Sequence, residues 1–335
     1  MGVEGLEQAD AATPTEPGES APTHTAGTTP ATVVSLPGMA SSSDDPAATD
    51  ATEATTPADG AAVTDPVEPA PLPTAESTAP ADALETAAPV GTVRLHFRDE
   101  GEASPDDQPI AVNLSAAAAA GEHLWVANDE TARVERLTRS ADGGYGRHDA
   151  VSLAELVELP GGGEGEMDIE RLAVDGGYLW VVGSHSGRRR KPDPDEHDPA
   201  TVLRLLGEIR NDPNRYFLGR IPLAEGGAAL AAEVEDGNGG QLRAGSLKIR
   251  KKRGNELIEL LAEDDLIGAF VGLPAKENGF DVEGLAVRGE RVFLGLRGPV
   301  LRGWAVILEV RVEASRKGRL KLAPFQDRRT YHRHL

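Results

Sequence analysis

The sequence predicts an all-β fold made of β-propeller-like repeats of about 55 residues, which follow a long disordered N-terminal tail. The main observation is a recurring stretch: DIERLAVDGGYLWVVGSHS, which starts at Asp168, returns as DVEGLAVRGERVFLGLRGP from Asp281. A more divergent copy, NLSAAAAAGEHLWVAND, starts at Asn113, which is 55 residues before the second copy. The third copy starts 113 residues after the second, close to twice that spacing. We therefore expect a fourth, degenerate copy between the second and the third.

A shift in composition divides the chain. Residues 1–89 contain no Lys, no Arg and no aromatic residue, but they hold 13 of the 24 prolines. Such a segment cannot bury enough apolar surface to offset its conformational entropy, so it is predicted to be a disordered, acidic tail. The tail also carries much of the net charge of −21. Residues 90–335 are close to charge balance and form the predicted propeller-like domain.

Composition also limits the class of function. The chain has no cysteine, which excludes disulfides and thiolate metal sites. Its first residues lack the basic and apolar regions of a secretory signal, and no run of about 18 apolar residues is present. We therefore expect a cytoplasmic protein without a membrane partner. The near balance of charge in the domain makes nucleic acid an unlikely partner.

Strands, hairpins and one helix are predicted along the domain from residue alternation and turn chemistry. In the second copy, the runs ERLAV and YLWVVG flank the turn at residues 175–177, as in a two-residue hairpin. The spacing of Leu257, Leu261 and Phe270 predicts a helix over residues 255–270. Other strands are expected at residues 90–97, 124–127, 132–139, 201–209, 216–224, 242–253, 304–313 and 319–325. At about 55 residues per blade this is a small ring, and we expect it to be incomplete at the C-terminus.

Three sequence blocks carry a family resemblance. They are LWVANDE from Leu124, the second repeat copy, and PAKENGFDVEGLAVRGERVFLGLRGPVLRGWAVILEV from Pro274. Together they resemble a bacterial family known as domain of unknown function 3616, from about Val90 to the C-terminus. That resemblance implies an uncharacterised repeat protein, and the family usually has Gly where this chain has Arg171. The D-x-E-G-L block is also loosely similar to propeller proteins related to phytase-like esterases.

The repeats predict where a functional site lies. Each D-x-E begins a strand, and the returning strand of the hairpin ends beside it, so one rim gathers polar residues from all three copies. The acidic residues suit a divalent cation such as Ca²⁺ or Mg²⁺. The candidate metal ligands are Asp168, Glu170, Asp281 and Glu283. The candidate ligand-binding residues are Asn128, Asp129, Glu130, Ser184, His185, Arg297 and Arg302.

A structural interpretation of the same residues is favoured by their repetition, since carboxylates in every copy can cap strands and pair with arginines of the next copy. The GSHSG sequence around His185 is not a nucleophile elbow, because its central residue is not Ser and no helix follows. The basic runs RRRK from Arg188 and KIRKKR from Lys248 have no interleaved aromatic residues, which favours solvated surface. Trp125, Trp180 and Phe293 share one repeat position and are predicted to fill the core.

Two functions remain open. The first is a propeller scaffold that binds a small molecule or a protein partner at the rim without catalysis. The alternative is a divalent-metal-dependent hydrolase, a phytase-like esterase or phosphoesterase, in which rim carboxylates hold the ion that activates water.

Overall fold

The computed structural model describes residues 32–35, 92–98, 110–193, 195–251 and 253–335. Strands and turns dominate these residues, so the prediction of an all-β fold is confirmed. Apart from the strand at residues 32–35, the predicted disordered tail lies outside the described residues. In the part of the chain that is described, no helix is long and apolar enough to cross a membrane.

The first sheet has six strands in the spatial order β1-β2-β6-β5-β4-β3. Its bounds are β1 Thr32–Ser35, β2 Thr92–Leu95, β3 Leu114–Ala120, β4 His123–Asn128, β5 Arg133–Arg139 and β6 Tyr145–Ser152. Strands β3 to β6 form an antiparallel meander, whereas β2 joins β6 in parallel. The first repeat copy supplies β3 and β4, the hairpin at one edge of this sheet.

The second sheet contains the second copy, and the short pairs β9-β10 and β13-β14 lie apart from it. The strands are β7 Ile169–Asp175, β8 Tyr178–Gly183, β9 Arg188–Arg189, β10 Ile209–Arg210, β11 Leu218–Ala224, β12 Ala229–Leu230, β13 Glu233–Glu235, β14 Gln241–Arg243 and β15 Gly245–Ser246. β7, β8 and β11 are consecutive neighbours, and β11 also pairs with β12 and β15. The predicted two-residue hairpin is present, because Asp175 pairs with Tyr178 and both turn glycines have a positive φ.

The third sheet repeats the meander at the end of the chain. Its strands are β16 Asp281–Arg288, β17 Arg291–Gly298, β18 Ile307–Ala314, β19 Leu320–Ala323 and β20 Tyr331–His334. β18 pairs with β17 along one edge, and β19 and β20 pair with different parts of its other edge. Each repeat copy therefore forms the first hairpin of an antiparallel meander, as in a propeller blade. A closed propeller stays a prediction.

Two helices interrupt the strands: α1 Pro199–Gly207 and α2 Glu256–Leu261. The strand predicted at residues 201–209 was wrong, because Asp198 caps α1 through the backbone amides of Ala200 and Thr201 and Pro199 occupies its first turn. The helix predicted over residues 255–270 is shorter than expected. It ends at Leu261, and a separate 3-10 turn covers Gly268–Phe270.

The prediction of a fourth copy was also wrong. The described residues between the second and third copies complete the second sheet and add α1, the β13-β14 ribbon and α2, without another four-stranded meander. The long spacing between those copies is thus an insertion rather than a degenerate repeat.

The core forms on both faces of the second sheet. On β8, Leu179 and Val181 pack with residues of the first sheet, whereas Trp180 and Val182 pack with residues of the third. Because side chains alternate along a strand, a strand between two sheets is apolar at every position. The predicted burial of Trp125 and Trp180 is confirmed, and Phe293 is half-buried beneath Arg291.

Replacing Trp125 with Ala should lower the free energy of unfolding by about 3–5 kcal/mol, because the ring is fully buried between sheets. The indole also donates to the Gly227 carbonyl at 3.0 Å. Trp304→Ala is the matched control, since that side chain is 61% exposed, and its cost should stay within about 0.5 kcal/mol. Urea unfolding monitored by circular dichroism measures both, and equal losses would contradict the assignment of the core.

Candidate functional site

The first strands of the three repeat copies lie side by side, with β7 between β3 and β16. Backbone hydrogen bonds join them at one end: the Ser184 amide donates to the Asp168 carbonyl at 3.0 Å, and the Val282 amide donates to the Ser184 carbonyl at 2.8 Å. The Ser115 hydroxyl donates to the Ile169 carbonyl from the first copy. The starts of the three strands are therefore held at one end of the domain.

This arrangement gathers a group of acidic side chains that we call the carboxylate cluster, namely Asp168, Glu170, Asp281 and Glu283. Glu170 is within electrostatic reach of the other three. Asp281 and Glu283 contact the same guanidinium group, that of Arg297. The D-x-E motifs of the second and third copies thus converge on one site.

A β-bulge occurs at the same repeat position in all three copies. The register shifts across Ser115, Glu170 and Glu283, which are left without a directly paired residue on the neighbouring strand. A bulge turns a side chain away from the simple alternation of a strand and is frequent beside functional sites. The bulges therefore set the direction of the second acidic residue of each D-x-E motif.

Arg215 neutralises part of the negative charge beside the carboxylate cluster, and the sequence analysis did not identify it. Its guanidinium contacts Glu166 at 2.6 Å and Asp168, and it donates to the backbone carbonyl and the hydroxyl of Ser186, both at 2.9 Å. The side chain is buried. It comes from the 3-10 turn Pro213–Tyr216 before β11, outside the repeat. The one signal in the sequence is its position, since it is a basic residue between a proline-containing turn and an apolar strand.

Arg297 compensates the third copy from the solvent side. Its two terminal nitrogens lie 2.6 Å from Asp281 Oδ2 and 2.6 Å from Glu283 Oε1, and about half of the side chain is exposed. Asp281 itself is fully buried, and neither of its carboxylate oxygens accepts a hydrogen bond of good geometry. Asp281 is thus partly neutralised by the charge of Arg297, and a contact from the Ser186 side chain also favours its ionised form.

Burial and mutual repulsion keep protons on this cluster. Burial, followed by the charges of Asp168, Asp281 and Glu283, raises the pKa of Glu170 to about 8. Burial likewise raises the pKa of Asp281 to about 6, although Arg297 opposes the shift. Glu170 therefore retains its proton at neutral pH and forms no ion pair with a described residue.

Two further carboxylates extend the acidic region. Burial raises the pKa of Asp129, and the negative charge of Asp168 raises it further. Burial also raises the pKa of Glu166. Glu166 is shared between Arg215 and the more exposed Arg188, at 2.6 Å and 2.5 Å. The region holds more carboxylates than guanidinium groups, which is why the raised pKa values persist despite the ion pairs.

His185 is buried in the protein interior. Its Nδ1 donates to the Gly183 carbonyl at 2.8 Å, and its Nε2 accepts from the Asn255 amide at 2.9 Å. Complete burial lowers the pKa of His185 to about 4, so the ring is neutral. Asn255 in turn caps α2 through the amides of Leu257 and Ile258. Ser184 is also fully buried, so neither residue faces solvent.

The remaining predicted residues lie around the rim. Asn128 accepts hydrogen bonds from the amide and hydroxyl of Thr131 and thereby closes the turn after β4, which also contains Glu130. Arg302 has a positive φ in the exposed turn between Leu301 and Trp304 and makes no ion pair with a described residue. The cluster thus brings together the four acidic candidates and Arg297, with Asp129 nearby.

The donor atoms of these side chains are not gathered around one point. Within the described ranges, no set of three His, Asp or Glu groups is placed to hold a metal ion. The divalent-cation site therefore stays a prediction.

Comparison with known protein families shows which family the chain belongs to. Residues 113–335 match the family described as Protein of unknown function (DUF3616), a match that spans all three repeat copies. The chain belongs to this family. No curated protein matches it significantly. The DUF3616 region thus contains every residue of the carboxylate cluster.

Replacing Arg215 with Met should destabilise the DUF3616 domain by about 3–5 kcal/mol, because it leaves Glu166 and Asp168 without their buried partner. Arg188→Met is the matched control: it contacts the same Glu166 but is 44% exposed, so its loss should cost at most about 1 kcal/mol. Chemical unfolding at pH 7 measures both. Similar costs for the two variants would refute a central role for Arg215.

The raised pKa of Glu170 predicts a distinct pH dependence of stability. Between the ordinary value of 4.5 and about 8, the folded state holds a proton that the unfolded state has lost, so stability falls as pH rises through this window. Glu170→Gln should make the fall in melting temperature between those pH values shallower. Glu164→Gln, which removes an exposed carboxylate from the same part of the chain, should keep the wild-type slope. Parallel slopes for wild type and Glu170→Gln would exclude the shifted pKa.

Proposed function

We propose that the DUF3616 domain is a binding scaffold without catalytic activity of its own. It binds a small molecule or a protein partner through a positively charged group, held by the carboxylate cluster at the shared end of β3, β7 and β16. The observation that carries this proposal is Glu170, a carboxylic acid with a pKa of about 8 among three other carboxylates. A cation placed there removes the repulsion that keeps the proton on Glu170.

Exposure of the cluster supports access from solvent. Glu283 is 38% exposed and Arg297 is 48% exposed, whereas Asp281 lies behind them. An incoming ammonium or guanidinium group can pair with Glu170 and displace Arg297 from its two carboxylates. Charge-assisted hydrogen bonds to the carboxylate oxygens of Asp281, in place of Arg297, then stabilise the bound cation.

The chemistry of the cluster favours binding over catalysis. Nucleophilic catalysis needs a nucleophile beside a base with a free lone pair. His185 lies next to the cluster in sequence, but both of its ring nitrogens already have hydrogen-bond partners. The buried Ser184 and Ser186 hydroxyls contact each other at 3.0 Å rather than a histidine.

A thermal-shift titration of the full chain tests the proposal. Spermidine and arginine methyl ester serve as organic cations, at low ionic strength and pH 7. A ligand that binds only the native state raises the melting temperature, by an amount equivalent to about 2.7 kcal/mol at 100 times its dissociation constant. The double variant Glu170→Gln/Glu283→Gln should lose the shift, whereas Glu164→Gln should keep it. An equal shift in all three proteins would place binding elsewhere.

A divalent-metal-dependent phosphoesterase or esterase is the second candidate, and the unsatisfied oxygens of Asp281 are the observation in its favour. The same titration with Ca²⁺ and Mg²⁺, before and after EDTA, separates the two. A melting temperature that responds to one ion but to neither amine, together with ion-dependent hydrolysis of 4-nitrophenyl phosphate or acetate, favours the hydrolase. Response to the amines alone favours the scaffold.

A further inference from the structure

A cavity of about 630 Å³ opens on the first sheet, and none of the carboxylate-cluster residues lines it. Side chains from β5 and β6, together with residues that follow β2 and the first residue of β4, form its walls. We call it the arginine cavity, because the described residues that line it include Arg98, Arg136 and Arg147 but only one acidic residue, Asp149.

The arginine cavity has an excess of positive charge. Arg98 lies 3.1 Å from Asp149 Oδ1, and Arg136 contacts Oδ2 of the same carboxylate, so two guanidinium groups share one negative charge. Arg147 makes no ion pair with a described residue. Of two further acids near the wall, Glu135 is buried and paired with the ring of His148 at 2.7 Å, and Glu122 acts electrostatically on the ring of His123. Among the described residues, the three guanidinium groups on the cavity wall thus face one ionised carboxylate, that of Asp149.

Two of the arginines are already held in place. Arg98 donates to the His148 carbonyl through Nε at 3.1 Å, and Arg136 donates to the Ala228 carbonyl. Because these side chains are fixed in advance, they lose little entropy when they bind a ligand.

The remaining walls suit a ligand larger than a simple ion. Phe97 packs edge-on against His148, with ring centroids 5.3 Å apart, and both line the cavity. His123, whose Nδ1 lies 3.2 Å from the Thr138 hydroxyl, adds a second aromatic ring to the wall, and burial followed by the charge of Arg136 lowers its pKa. The volume falls within the range of small-molecule sites rather than that of an ion-sized cradle.

We propose that the arginine cavity binds a small phosphate-bearing molecule, with the phosphate between Arg136 and Arg147 and the organic part against Phe97. A planar guanidinium group can donate two parallel hydrogen bonds to two phosphate oxygens. The bound phosphate also places negative charge beside these positively charged side chains. Inorganic phosphate shares this chemistry but leaves the Phe97 wall empty.

Isothermal titration of the full chain with inorganic phosphate and with phenyl phosphate, in low-salt buffer free of other multivalent anions, tests this proposal. Phenyl phosphate should bind at least about tenfold more tightly than inorganic phosphate, because burying its ring against Phe97 adds apolar contact area. Equal affinities would show an anion site without a place for the organic part and would overturn the proposal in its stated form.

Three variants locate the site. Arg147→Gln should weaken phenyl phosphate binding by about tenfold, because it removes one of the two guanidinium groups that contact the phosphate in this proposal. Asp149→Asn should strengthen binding, since it removes the carboxylate that competes with the ligand for Arg98 and Arg136. Arg316→Gln, an exposed arginine in the β18–β19 turn, is the control and should bind as the wild type does.

Arg147→Gln and Asp149→Asn are expected to change the affinity in opposite directions, which a general loss of folding would not do. Arg147 is exposed, so its variant is expected to fold, and melting temperatures confirm that each variant does. Undetectable binding of phenyl phosphate at about 1 mM would overturn the proposal. So would equal weakening by Arg147→Gln and Arg316→Gln, which would show a general effect of net charge rather than a site.

Discussion

The structure depends on the side-by-side docking of the first strands of three repeat copies. Backbone hydrogen bonds through Ser184 connect the start of β7 to the start of β16, and the Ser115 hydroxyl connects β3 to β7. Because these bonds join strand ends rather than strand centres, they bring the same repeat positions together at one end. The D-x-E motifs become neighbours as a direct consequence.

That docking brings several carboxylates together at a partly buried place, where water solvates their charge poorly. Arg215 offsets part of the charge from a buried position, and Arg297 offsets another part from the surface. Part of the rest is relieved at neutral pH by a proton on Glu170, whose pKa is raised to about 8, whereas Asp281, with a pKa of about 6, is mainly ionised there. Groups with strongly perturbed pKa values are frequent at functional sites. This is the physical basis for proposing that the cluster binds a cation.

Much of the fold follows from local sequence signals. The repeat copies, the Gly176-Gly177 hairpin and the buried Trp125 and Trp180 are local or periodic features, which sequence reasoning detects well. The same reasoning failed at α1, where the Leu-rich run after Asp198 and Pro199 suits a strand or a helix, and the capping residues decide. It also took the long insertion between the second and third copies for a degenerate repeat.

The site was harder to predict than the fold for a related reason. The acidic residues of the cluster repeat along the chain and are visible in sequence, but Arg215 reaches them from an unrelated turn across the fold. The bulges at Glu170 and Glu283 depend on pairing with the neighbouring strand, so no single segment reveals them. His185 stands out in sequence as a variable rim residue, yet its hydrogen bond to Asn255 joins positions far apart in the chain.

The most direct test of this account is the pKa of the Glu170 side chain, measured by nuclear magnetic resonance on protein with ¹³C-labelled glutamate carboxyl groups. The Glu170→Gln variant assigns the signal. The account predicts titration near pH 8 in the free protein and a clear decrease in the pKa once a cationic ligand is bound. Titration of Glu170 near the ordinary value of 4.5 in the free protein would contradict it, because the cluster would then hold no uncompensated charge for a ligand to relieve.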